Sequence, residues 1–393
     1  MMKQIQGFGS DDKNLYNAET DCISYIKTSD CDNYLFTGDA AGRIVIFRKK
    51  KILKSQVWEP IMQYDGVEKE MDYLTSVSTN NKITGIIPLQ NNDYYLYNIV
   101  SDTKNIYLHK LKNNRIKNDS SIFEIKMDTN KLCKHKYVRG HNYYINSIGM
   151  TNDREYILSS DDLIVNMWNI NRPNKALPII DTSPANLSMV NSTITKMKMD
   201  PNNSNILYTS ASNGITSMYD TRLNCISYCP SKMMYSSKML SYDSAEQLQG
   251  NIFNKKKNLS QFNCISDFDI SNDTNYIVTR SPLFINVWDM RNTLQPCHYF
   301  PIHKHIYSFL KENYDLSFEN FNIKYSNDNK YIYSGSFNNI ISIDTSDYSI
   351  SYMNMMKDLN ITLDSPKYTC IQPDIDNKYL FASYNGVLNI YTT

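Results

Sequence analysis

One two-strand phrase recurs seven times along the chain, and that recurrence restricts the fold more than any other property. In each copy an apolar strand ends in a small or polar turn, and a second apolar strand closes on an aromatic residue or a substitute for one. The copies are NYLFTGDAAGRIVIF (33–47), YYLYNIVSDTKNIYLH (94–109), EYILSSDDLIVNMW (155–168), NILYTSASNGITSMY (205–219), NYIVTRSPLFINVW (275–288), KYIYSGSFNNIISI (330–343) and KYLFASYNGVLNIY (378–391). Strand-rich copies at steps of roughly 40–70 residues are the mark of β-propeller blades. A lone blade cannot cover both of its faces, so the copies must stack on one another.

Each copy is preceded by a further strand: CISYIKTSD (22–30), ITGIIPLQN (83–91), INSIGMTND (145–153), ITKMKMDPN (194–202), ISDFDISND (265–273), FENFNIKYSND (318–328) and TCIQPDIDN (369–377). Most end in Asn, Asp or Ser, whose side chains bond their own backbone and tolerate turns. A fourth, outer strand follows in six blades, as in LPIID (177–181), NCISYC (224–229) and YSISYM (348–353). In the seventh the chain stops at Thr393, just after the third strand, and the open edge needs a cover. The unassigned segment Gln4-Ile5-Gln6-Gly7-Phe8 is expected to supply it. The expected fold is all-β: one domain over 1–393, a seven-bladed WD-repeat β-propeller whose N-terminal strand closes the last blade. A charged insertion at 112–138 belongs to blade two. Trp168 and Trp288 are the Trp of the WD dipeptide, although only Trp288-Asp289 keeps the pair; His109, Tyr219, Ile343 and Tyr391 stand in elsewhere.

Seven blades at about 40–45 residues each fit within 393 residues, so one domain suffices. A formal net charge of +1 argues against a dedicated nucleic-acid or membrane surface. The N-terminal stretch has no apolar core of signal-peptide length, and no run of 18 apolar residues occurs. The eight cysteines form no CxxC pair, which fits reduced thiols, among them Cys22, Cys264 and Cys370 in strands. The expected compartment is the cytoplasm, with the nucleus as a second. No nucleophile–base arrangement is suggested, so no catalytic residue is assigned. GDAAGR (38–43) lacks the Gly-Lys-Ser/Thr of a phosphate loop and reads as a blade turn. His303-Lys304-His305 has no partner at ligand spacing and reads as a solvated loop rather than a metal site. No cofactor is expected.

In a four-stranded blade the second-to-third turn and the connection to the next blade emerge on the same side of the disc. That gathers Asp161 and Asp162 of the blade-three turn, Phe337 and Asn338 of the blade-six turn, and the connections 60–82, 182–193, 230–262, 291–317 and 354–368. Glu68, Glu70 and Asp72 lie in the first of these, and Leu187 and Val190 in the second. An acidic, partly apolar rim suits a basic or amphipathic peptide, because complementary charge speeds encounter and apolar anchors hold it. Asp pairs also stabilise turns by themselves, and Lys255-Lys256-Lys257 on the same side dilutes the acidity.

Longer stretches carry a resemblance. MDYLTSVSTNNKIT (71–84), GHNYYINSIGMTND (140–153), SSDDLIVNMWNI, SPANL (183–187), YDTR (219–222), TRSPLFINVWDM, KENYDLSFENF (311–321) and YSGSFNN (333–339) are similar to segments of the 55-kDa B-type regulatory subunit of protein phosphatase 2A. The resemblance runs along nearly the whole chain. It implies a propeller without catalysis that docks on a helical-repeat scaffold subunit carrying the Ser/Thr phosphatase, and that captures phosphoprotein substrates on its open face. By the same resemblance a blade-two hairpin (112–138) grips the scaffold, and substrates meet Asp162, Leu187, Val190, Phe337, Glu68 and Glu70, with Asp161 beside them. Ser188 and Met189 depart from the acidic residues of the family's pattern, and Ser281-Pro282 from its charged–aromatic turn. A generic WD-repeat adaptor, such as a ubiquitin-ligase receptor or trafficking coat, is the alternative. It would not account for the Asp-Tyr-Leu and Ile-Asn-Ser-Ile segments.

Overall fold

The structure, a computed structural model, describes residues 3–9, 22–31, 33–52, 55–72, 77–79, 81–89, 95–112, 123–124, 132–184, 186–223, 230–235, 263–303, 319–354, 367–384 and 386–392. These form seven antiparallel sheets of the propeller type. The innermost strands are Ile23–Thr28, Gly85–Pro88, Ser147–Met150, Ile194–Met199, Asp267–Ile270, Ile323–Tyr325 and Tyr368–Pro373, in blades one to seven. Each packs against the next, and the seventh packs against the first, so the ring is closed. A short 3-10 turn spans Leu187–Met189.

The strands read as near-continuous apolar runs because each sheet is covered on both sides. Along the second strand of blade three, Ile157 packs toward blade two while its neighbour Leu158 packs toward blade four. Ile277 and Val278 of blade five divide in the same way between blades four and six. Among the described residues each blade–blade junction holds its own apolar cluster, so the core is a ring of junctions rather than one central mass. The residues that end the seven repeats, Phe47, His109, Trp168, Tyr219, Trp288, Ile343 and Tyr391, are all buried. The junctions are tight: a Cβ on Gly335 would lie 1.8 Å from the Tyr368 carbonyl oxygen of the next blade, so only glycine fits there.

The N-terminal strand closes the ring as expected. Lys3–Phe8 pairs antiparallel with Val387–Thr392. The Gln6 side chain then accepts from the Trp58 N–H at 2.9 Å and donates to the Trp58 carbonyl at 3.2 Å, and Phe8 stacks on Phe47 at 5.0 Å. One short strand thus belongs to blade seven and bonds blade one.

Two boundaries differ from the expectation. Blade four takes Lys232–Tyr235 as its outer strand; the expected 224–229 lies outside the described residues. In blade two the outer strand is Cys133–Tyr137, paired with Ile106–His109, so the last part of 112–138 is blade rather than insertion. The sequence hid this because CKHKY is polar, and an outer strand needs only one apolar face. Within the insertion, Phe123–Glu124 pairs in parallel with Met62–Gln63, adding a fifth strand to blade one. Residues 123–124 therefore lie on the outer edge of the neighbouring blade. Residues 113–122 and 125–131 lie outside the described residues.

Candidate functional site

Asp161 and Asp162 are adjacent in the blade-three turn and have opposite fates. Asp161 is fully buried. Its Oδ1 accepts the N–H groups of Leu163 (2.8 Å) and Ile164 (2.7 Å), and its Oδ2 accepts from His141 Nδ1 at 3.0 Å. With Nδ1 donating, His141 Nε2 accepts from the Ser159 hydroxyl, whose oxygen accepts the Trp168 indole N–H at 2.8 Å. Burial alone would raise the Asp161 carboxyl, but His141 and the two backbone donors outweigh it and hold it below the ordinary value. Asp161 is a structural carboxylate locking turn, strand and connection together, and its complete burial closes it to a partner.

Asp162 is half-buried at the rim. Its carbonyl accepts the Ile194 N–H of blade four at 2.8 Å, which fixes the backbone while the side chain stays accessible. Burial and the neighbouring Asp161 charge raise its carboxyl above the ordinary range, against the opposing hydrogen bond from Asn146. A carboxylate in that state gains from an incoming cation.

The remaining expected residues separate as clearly. Phe337 shares the face but is buried, edge-on to Phe321 at 5.0 Å and 5.5 Å from the His303 ring. It seals the junction of blades five and six and offers no surface anchor. His303, expected in a solvated loop, is buried there too, bonded to the Pro282 carbonyl at 2.7 Å and to Ser336; Lys304 and His305 lie outside the described residues. Leu187 opens the 3-10 turn, which Asn186 holds by accepting the Ser188 and Met189 N–H groups. Val190, just after it, is half-buried. Glu68 is half-exposed and ion-paired with Lys136 of blade two. Glu70 sits in a two-stranded ribbon, Glu70–Asp72 against Val77–Thr79. The side chains of Leu187, Glu70 and Asp72, and the run Lys255-Lys256-Lys257, lie outside the described residues.

The rim is therefore of mixed charge, with Glu68 matched by Lys136, and Arg139 and Lys82 exposed on the same side. What the pattern reading missed is apolar. Met71, Tyr143, Tyr144 and Met189 are large exposed side chains on this face, Tyr144 and Met189 each 67% accessible. The available signal was their place in polar connections, where no strand alternation calls for large apolar side chains. Tyr144 stands two residues before Asn146, which bonds Asp162, and Met189 follows the Pro-Ala-Asn segment.

Among the described residues no group of three or more His, Cys, Asp or Glu could hold a metal ion. The free cysteines do not cluster; Cys370 is buried, whereas Cys22 and Cys264 are only half-buried and precede the inner strands.

Comparison with known proteins agrees with this picture. The WD domain, G-beta repeat family matches residues 131–169, which span the outer strand of blade two and the first three strands of blade three with its Asp161–His141–Ser159–Trp168 network. The chain is 28% identical over 355 residues to the serine/threonine-protein phosphatase 2A regulatory subunit sur-6 of Caenorhabditis elegans, covering 82% of this chain and 69% of that protein. It is 28% identical to the B regulatory subunit of protein phosphatase PP2A from Schizosaccharomyces pombe, covering 84% and 75%. With the beta isoform of the 55 kDa B regulatory subunit of serine/threonine-protein phosphatase 2A from Carassius auratus it shares 27%, covering 82% and 77%.

Proposed function

We infer that this chain, similar to a 55 kDa B regulatory subunit over 82% of its length, acts as a non-catalytic regulatory subunit of a protein phosphatase 2A. In this reading the propeller assembles with a scaffold subunit and a Ser/Thr catalytic subunit in the cytoplasm, and no residue of its own hydrolyses phosphate. Its rim captures phosphoprotein substrates through basic or amphipathic segments. Capture raises the effective concentration at the phosphatase to roughly millimolar for a short span, which compensates for a weak encounter.

The division of labour in the aspartate pair carries the reading. Asp161 is consumed by the turn, which leaves Asp162 rigidly placed, half-exposed and with no ion-pair partner among the described residues. A Lys or Arg of a substrate supplies that charge, while Tyr144 and Met189 offer apolar contact area nearby. Substrates with a basic residue beside an apolar one are favoured; neither a nucleic acid nor a membrane is called for.

The test is affinity purification of the full chain at near-physiological salt with identification of stoichiometric partners. A scaffold and a Ser/Thr phosphatase in equal amounts are expected. A folded chain recovered repeatedly with neither would overturn the reading.

A further inference from the structure

The propeller's axis carries a group of lysines that the rim does not use. Four lysines project from inner strands near it: Lys27 of blade one, Lys196 and Lys198 of blade four, and Lys324 of blade six. Lys27, Lys198 and Lys324 line a cavity of about 380 Å³, together with Asp269 and the strand-one-to-strand-two turns. These turns lie on the side opposite the Asp162 rim.

The carboxylates near the axis are already committed. Asp267 Oδ2 accepts the Ile323 N–H at 3.2 Å and Asp269 Oδ2 the Tyr325 N–H at 2.8 Å, stitching blade five to blade six. Lys198 lies 3.4 Å from Asp267 and 3.0 Å from Asp269, and Lys324 is 3.9 Å from the same Asp269 oxygen. At the mouth, Asp30 is bound by Arg154, and Asp374 lies 3.5 Å from Lys49. Lys196 donates to the Asn146 carbonyl at 2.9 Å and has no carboxylate within ion-pair distance among the described residues. The Lys27 ammonium makes no hydrogen bond or ion pair among them. Four ammonium groups thus face two carboxylates, and each carboxylate also serves a backbone donor.

Such an excess is costly in a confined space unless an anion enters. Burial, and then Lys324, push the Lys27 ammonium down to about 8, against the opposing pull of Asp269 and Asp30. Lysines are compact point charges that suit phosphate oxygens approached from several directions. Here they come from three blades around one cavity.

We propose that the axial channel, at its end remote from the Asp162 rim, binds a small multiply charged phosphate anion through Lys27, Lys198 and Lys324, with Lys196 deeper along the axis. The anion would complete the ring's charge balance and brace blades one, four and six against one another. It occupies a different face from substrate, so both bind at once.

The probes are inorganic tripolyphosphate and myo-inositol hexakisphosphate, titrated calorimetrically into the full chain at 0.15 M salt. One-to-one binding that weakens with salt is expected, and loss of one charge-assisted contact in Lys27→Gln should cost at least about tenfold in affinity. Lys50→Gln with Lys51→Gln, on the exposed blade-one hairpin, should bind like the parent. Acetylation footprinting needs no variant: bound probe should protect Lys27, Lys198 and Lys324 while Lys50 and Lys51 stay reactive. Absence of binding at millimolar probe, undiminished binding by Lys27→Gln, protection confined to the hairpin, or loss of binding in the hairpin variant would each overturn the proposal.

Discussion

Replacing the two adjacent aspartates separately isolates what each does. Asp161→Ala strips the acceptor from three donors, the N–H groups of Leu163 and Ile164 and Nδ1–H of His141, in a place closed to solvent. A buried donor left unmade costs about 1–3 kcal/mol, so partial relaxation leaves a loss of about 3–5 kcal/mol. The unfolding entropy of globular chains is roughly 2.1 cal/mol/K per residue. For 393 residues that is about 0.8 kcal/mol/K, and Asp161→Ala should melt about 4–6 °C below the parent. Asp162→Asn removes a half-exposed charge next to a like charge and should leave Tm within about 1 °C, the ordinary range for surface changes. Asp162→Lys should abolish capture of a basic substrate while scaffold assembly persists. The assays are scanning calorimetry and pull-down from one preparation of each variant. Equal melting of Asp161→Ala and parent would refute the buried-network reasoning. An Asp162→Lys variant that captures substrate normally would refute the assignment of the rim.

Two further outcomes follow from the same contacts. Deleting residues 1–9 bares the Val387–Thr392 edge and removes the Gln6–Trp58 and Phe8–Phe47 contacts, so the truncated chain should self-associate on size exclusion and show red-shifted Trp emission; an unchanged monomer would contradict it. The carboxyls of Asp161 and Asp269 are held low in the fold: burial opposes this, but hydrogen-bond donors outweigh it in Asp161, and Lys198 and Lys324 do so in Asp269. A depressed folded value stabilises above the unfolded one near pH 4 and is lost as pH falls through the folded value. Urea unfolding should therefore weaken below about pH 4, and less steeply in Asp161→Ala than in the parent.

The ring was readable in advance because its determinants are local. Short apolar runs bounded by polar turns mark strands such as Tyr156–Ser160, and a count of strands per repeat leaves one edge open for residues 4–8 to fill. Outer strands were harder. Lys232–Tyr235 and Cys133–Tyr137 are short and one-sided in burial, so their alternation is weak and neighbouring polar stretches compete for the assignment. The parallel pairing of Phe123–Glu124 with blade one is non-local and leaves no pattern in either segment.

At the rim, strand counting fixed which turns share a side but not which side chains reach solvent. Asp161 and Asp162 are identical in type, and only the register of the turn decides that the first points at Leu163 and Ile164 while the second faces outward. Phe337 sits in a turn and still reads as core once Phe321 and His303 arrive from the preceding connection, a contact no window around residue 337 contains. The axial lysines follow the same rule from the other direction. Lys196 and Lys198 give ITKMKM the alternation of an ordinary half-exposed strand, so they read as solvent-facing until seven such strands close around one axis. Closure turns an outward face into an enclosed one, and a lysine that costs nothing on an open sheet there acquires a need for a partner.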